Sequence, residues 1–205
     1  MRPVAARRAC LAALMAACLL PAASAGAQES RESKQWAAGP YAFSDELGGF
    51  LVRGVSGNGT RDNPIVVREE LESATPVTLT IRAIRPIRPF DASGDYVSGV
   101  LYMRIEAFNN SGLPWVEFEF ELQEILGRPS TFGDGLSFDQ RSKIPENIAS
   151  PDFSGFSRAF EPYDRLLFKD GKVDPLTTAT FEFLVTDYTP RWTFYLVQDP
   201  RIPSS

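Results

Sequence analysis

No histidine occurs anywhere in the chain. That excludes every His-dependent catalytic triad, the common zinc sites and the usual neutral-pH proton shuttle. Cysteine is nearly absent too. Cys10 and Cys18 are the two in the sequence, and both lie within the first 27 residues. A chain cleaved after that segment has no disulfide, no thiol nucleophile and no thiolate metal site, so it must rest on its hydrophobic core. Beyond residue 27 no apolar run is long enough to cross a bilayer, and there is no internal repeat or useful amphipathic helix.

The opening segment reads as an export signal. Arg2, Arg7 and Arg8 precede an apolar stretch from Ala9 to Leu20, and Ala25-Gly26-Ala27 is a small-residue cleavage site. The expected location is periplasmic or extracellular. Met15-Ala16-Ala17-Cys18 resembles, in degraded form, the box of a lipoprotein acylated on its cysteine, which makes anchoring through Cys18 the alternative. Arg7-Arg8 is a weaker match to a twin-arginine signal. Loss of those three arginines takes Lys plus Arg from 21 to 18 against 26 Asp plus Glu, a net charge of −8. Such a chain has no general attraction for nucleic acid or anionic membrane.

What the sequence has in plenty is strand pattern. Residues 114–123 read PWVEFEFELQ, with Val116, Phe118, Phe120 and Leu122 on one face and Glu117, Glu119, Glu121 and Gln123 on the other. Burying those four apolar side chains contributes roughly 6–12 kcal/mol. Similar runs occur at 50–56, 65–71, 75–83, 100–108, 163–168, 177–186 and 191–198, with a short segment at 41–46. These predict an all-β fold, an antiparallel β-sandwich of about seven to eight strands. It is immunoglobulin-like in architecture only, and a β-barrel is the alternative. The expected organisation is a polar leader at 28–40, one domain at 41–200 and a tail at 201–205. Residues 127–162 hold glycine, proline and five phenylalanines without period, and predict a long excursion folded back over the sheets.

Two hairpins follow from the spacing. The first joins 100–108 to 115–123, with Ile105 opposite Phe118 and Met103 opposite Phe120. It also sets Glu106 against Glu117, which needs a nearby cation. The second joins 177–186 to 191–198, with Phe183 opposite Phe194.

Candidate functional residues fall into three groups. Glu117, Glu119 and Glu121 stand about 7 Å apart along one strand face, within the carboxyl separations of inverting glycosidases. A half-buried strand displays the same pattern without chemistry. Asp91 with Asp95, Asp134 with Asp139, and Asp170 with Asp174 are loop carboxylates of the kind that hold Ca2+, although turns favour Asp for backbone reasons alone. Tyr102, Phe108 and Trp115 fall on one outer face of the first hairpin, where they either form an exposed binding cluster or, as the favoured reading, are buried under the long loop. Arg85 and Arg88, in register with Arg82 along IRPIRP, form either a protected edge or a basic strip for a carboxylate-bearing partner. The stretch GNGTRDNP at 57–64 looks like a phosphate loop but lacks its Lys-Ser/Thr ending, and reads as a connection. No cofactor is required by any of this. The expectation is a non-catalytic binding or structural module contacting an envelope protein or a glycan. The alternatives are a carboxylate-based glycan-acting enzyme and a calcium-dependent adhesion module.

Overall fold

Alternation in the sequence becomes alternation in burial. The computed structural model describes residues 34–140 and 145–203. The export segment at 1–27, Cys18 and the first part of the leader lie outside the described residues.

Twelve strands run in order: β1 (Trp36–Ala38), β2 (Tyr41–Ser44), β3 (Phe50–Ser56), β4 (Ile65–Leu71), β5 (Val77–Ala83), β6 (Val100–Asn109), β7 (Glu117–Gln123), β8 (Leu136–Phe138), β9 (Phe153–Ala159), β10 (Arg165–Gly171), β11 (Thr178–Asp187) and β12 (Thr193–Arg201). They form two sheets rather than a closed barrel. One has the order β1-β2-β5-β12-β7-β10-β9, the other β3-β4-β6-β11-β8. Every pairing is antiparallel except β4 with β6. That exception has a topological cause. After β4 the chain crosses to the other sheet for β5, then returns, so β6 runs the same way as β4.

The two sheets enclose a core of phenylalanines. Phe118 and Phe120 of β7 meet Phe181 and Phe183 of β11 across the sandwich, with ring centroids 4.5 and 4.9 Å apart for Phe118–Phe181 and Phe120–Phe183. Phe168 and Phe153 stand 5.0 and 5.6 Å from Phe181. Tilted and edge-on contacts at these distances add to area burial alone.

Neither expected hairpin forms. β6 pairs with β4 and β11, while β7 pairs with β10 and β12. Residues expected as in-sheet partners lie in opposite sheets instead. An apolar face is satisfied equally by a neighbouring strand or by a sheet packed about 10 Å away, so the pattern does not distinguish the two. Charge does distinguish them. Glu106 avoids Glu117 and lies 2.9 Å from Arg68 on its true neighbour β4. Buried Asn109 shapes the arch between the sheets, donating to Leu113 O at 2.8 Å and accepting from Ser111 N and Oγ.

The excursion at 127–162 is built more regularly than expected. β8 extends one sheet by pairing with β11, and β9 extends the other by pairing with β10. Phe138 and Phe153 join the core. The expected leader and tail are also partly structured, since β1 pairs with β2 and Arg201 ends β12.

Candidate functional site

The topology gathers several loops at one end. β4 and β6 start there, β11 ends there beside them, and β5 delivers the chain there before β6. The loop at 57–64 and the connection at 84–99 therefore meet, and they enclose a cavity of about 330 Å³. Its walls include Asn58, Thr60, Arg61, Phe90, Tyr96 and Tyr102, with Tyr41 at its base.

Local hydrogen bonds fix the first wall. Asn58 Oδ1 accepts from Thr60 N at 3.2 Å and Thr60 Oγ1 at 2.8 Å. Asn58 N and Gly59 N both donate to Asn63 O, at 3.1 and 3.0 Å, and Tyr102 N donates to Gly59 O at 3.0 Å. The loop is thus tied to β6 beside the Tyr102 ring. Gly59 has a φ of +85°, and a Cβ there would stand 2.7 Å from Leu101 Cδ1. Gly59→Ala is accordingly expected to destabilise by about 1–3 kcal/mol and to displace the Asn58–Thr60 wall. A thermal melt together with the amide shifts of residues 58–61 checks this. A wild-type melt and spectrum would refute it.

The second wall is the connection at 84–99, which doubles back on itself. Arg88 N donates to Val97 O, Val97 N to Pro86 O and Phe90 N to Ser98 O, at 2.9, 3.1 and 2.9 Å. The Arg88 guanidinium lies 3.8 Å over the Tyr96 ring and 3.7 Å from Asp91. Asp91 also accepts from Ser93 N and Oγ, and these bonds, with Arg88, hold its carboxyl below the usual range. Phe90 stands at the rim, 62% exposed, with a φ of +65°. A bulky residue in that region is an outlier of the sort that clusters at ligand clamps. At the base, burial pushes the Tyr41 phenol up, so it stays protonated and can act as a donor. The two walls abut, since a Cβ on Gly94 would lie 2.9 Å from Asn58 Nδ2.

No known protein family, curated protein or solved structure matches the chain. The cavity's chemistry is therefore read from its own residues.

Of the residues singled out from sequence, Tyr102 lines this cavity and Arg88 braces it. Arg85 is exposed on the same connection. Arg82 does not extend a basic strip, because Glu46 engages it through both guanidinium arms. Trp115 is a correction. It is fully buried, 5.4 Å from the Phe118 ring, with Nε1 donating to Ser111 Oγ at 3.2 Å. The chain bends at Val116, whose N–H reaches Arg201 O while Trp115 pairs with Val173. That bend swaps the parity, so Trp115 points inward with Phe118. Phe108 lies half-buried six residues along β6 from Tyr102, about 20 Å away, so the three aromatics form no cluster.

The glutamate row lies on the outer face of β7 between two arginines. Arg165 of β10 sits 2.6 Å from Glu121, and Arg201 of β12 sits 2.9 Å from Glu119 and 3.5 Å from Glu117. This is a cross-strand ion ladder, and it engages all three carboxylates.

The loop aspartates are dispersed. Asp134 accepts from Thr131 N and Leu136 N, Asp139 is buried and accepts from Asn147 Nδ2 at 3.1 Å, and Asp174 pairs with Lys172 at 2.7 Å. Asp95 and Asp170 are exposed. Among the described residues no three carboxylates gather as a metal site.

Sequence reasoning missed Asn58, Thr60, Arg61, Phe90 and Tyr96. The available signal was the run of aromatics at 90, 96 and 102 flanking a Gly/Asp loop, whose meeting with 57–64 depends on the parallel β4–β6 pairing.

Proposed function

We propose that this protein is an exported, non-catalytic binding module of the cell envelope that takes part of a glycan into the cavity between loops 57–64 and 84–99. The cavity itself carries the reading. Its volume of about 330 Å³ lies at the lower end of ligand pockets. Its walls combine aromatic rings with an amide, a hydroxyl and a guanidinium, the mixture that stacks on sugar rings and bonds their hydroxyls. The walls are rigidly braced, which limits the ordering cost of binding. Export is supported by the arginine-led apolar segment ending at Ala27. Catalysis by the glutamate row is disfavoured by its arginine partners, and an adhesion role through calcium finds no clustered set of acidic ligands among the described residues.

Titration of the isotopically labelled protein with soluble envelope glycan fragments tests this. The amides of 58–61, 90–98 and 102 are expected to shift together. Shifts confined to the β7 face, or to neither place, would reject the reading.

A further inference from the structure

We propose that the cavity selects an acidic glycan, a sugar residue bearing a carboxylate that seats on Arg61. The inference rests on the binding role argued above and adds the charge of the ligand.

Arg61 is the one cation among the described residues that line the cavity, and it makes no ion pair with any of them. Its Nη2 donates to Asn147 Oδ1 at 2.9 Å, and its guanidinium lies 6.0 Å from the centroid of the Tyr102 ring. An amide oxygen takes a hydrogen bond but leaves the positive charge uncompensated. No described carboxylate lies within ion-pair distance of Arg61. Of the other arginines at this end, Arg82 has Glu46, Arg88 has Asp91 and Arg191 has Glu124, while Arg85 is exposed and does not line the cavity. Asp91, the acid in the cavity wall, is already held by Arg88 and Ser93. The cavity lining thus carries one unpaired positive charge in a chain whose net charge is −5. Glu146 and Glu182 line a neighbouring cavity that Arg61 also borders, but neither reaches it as an ion pair. A ligand with a single negative charge completes the guanidinium.

The form of that charge follows from what the loop lacks. A phosphate in a Gly-rich loop is cradled by successive free backbone N–H groups. Here the successive donors at 58, 59 and 60 are engaged. Asn58 N and Gly59 N bond to Asn63 O, and Thr60 N bonds to Asn58 Oδ1. The charged group in the lining is one planar guanidinium, whose fork fits a carboxylate. Beside it the Tyr102 and Tyr96 faces suit the apolar face of a pyranose ring. Asn58 Nδ2, which makes no hydrogen bond among the described residues, is left for a sugar hydroxyl.

The test is calorimetric titration of the purified exported protein at low salt with two probes: tetragalacturonate, and the same tetrasaccharide with its carboxylates reduced to neutral hydroxymethyl groups. The acidic probe is expected to bind at least tenfold more tightly. Arg61→Gln, an exposed position, is expected to erase that preference while the melting temperature holds. Tyr102→Ala is expected to weaken both probes. Inorganic phosphate at the same concentration is expected not to compete. Equal affinity for the two probes, both lost in Tyr102→Ala, overturns the charge assignment and leaves the glycan reading standing. An acid preference that survives Arg61→Gln, or no binding of either probe, also overturns the assignment. Amide shifts in the cavity on titration with other fragments would then show whether the binding role itself stands.

Discussion

Thermal stability should fall as pH rises from about 6 to about 8, and Glu69→Gln should remove the part of that fall above about pH 7. Glu69 sits on the inward face of β4, between Val67 and Leu71, and is 2% exposed. Its one hydrogen bond is from Gln198 Nε2 of the opposite sheet, at 3.0 Å. Burial pushes its carboxyl up to about 8 from 4.5, and the Gln198 bond only partly opposes the shift. Glu69 Oε1 and Gln198 Oε1 are both buried without a partner among the described residues. A proton on Glu69 resolves both at once, because the acid O–H donates to the orphan amide oxygen. The folded state therefore keeps a proton that the unfolded chain releases above pH 4.5. Stability from this group is fully present below about 4.5 and is lost progressively up to about 8, by about 1.4 kcal/mol per pH unit and about 4–5 kcal/mol in all. Asp164 and Asp187, raised by burial to about 6, add the same sign of slope up to about that pH. Their share fades over the pH unit above 6, so between pH 7 and 8 the slope belongs to Glu69. Glutamine at position 69 can both donate to and accept from Gln198 without titrating. A flat wild-type melt across that window, or an unchanged slope in the variant, would show that Glu69 is ionised in the fold.

Phe181→Ala should cost about 3–5 kcal/mol and lower the melting temperature by roughly 10 °C. The ring lies 4.5 to 5.6 Å, centroid to centroid, from Phe118, Phe120, Phe168 and Phe153, so its removal opens a void bordered by rings from three strands of the opposite sheet. Phe108→Ala, on the outer face of β6, should cost about 1 kcal/mol. Had β6 and β7 formed a two-stranded hairpin apart from β11, truncation at 181 would barely touch Phe118. Melting curves of the two variants against wild type measure the difference, and similar losses at 108 and 181 would contradict the sandwich core.

Local pattern was sufficient for the strands. The limits of β3 and β4 match the alternation in FLVRGVS and IVVREEL residue for residue. The three-residue β8 and the seven-residue β9 escaped because their inward residues, Phe138 and Phe153, stand among glycines and prolines with no period to read. The site was less legible than the fold. Arg61 and Tyr96 carry no motif of their own, and the row that did look like chemistry, Glu117 to Glu121, is held between Arg165 and Arg201.

The sequence by itself determined the chemistry closed to this chain and the strand faces that must be buried, because composition is absolute and side-chain direction in a strand alternates by covalent geometry. Only the tertiary structure decided which strands are neighbours, since an apolar face is satisfied across a sandwich as well as along a sheet. It alone turned Trp115 inward, through a bend at Val116 that breaks the alternation. It also set loop 57–64 against loop 84–99, because β6 returns beside β4 in parallel, and that meeting of distant segments makes the cavity.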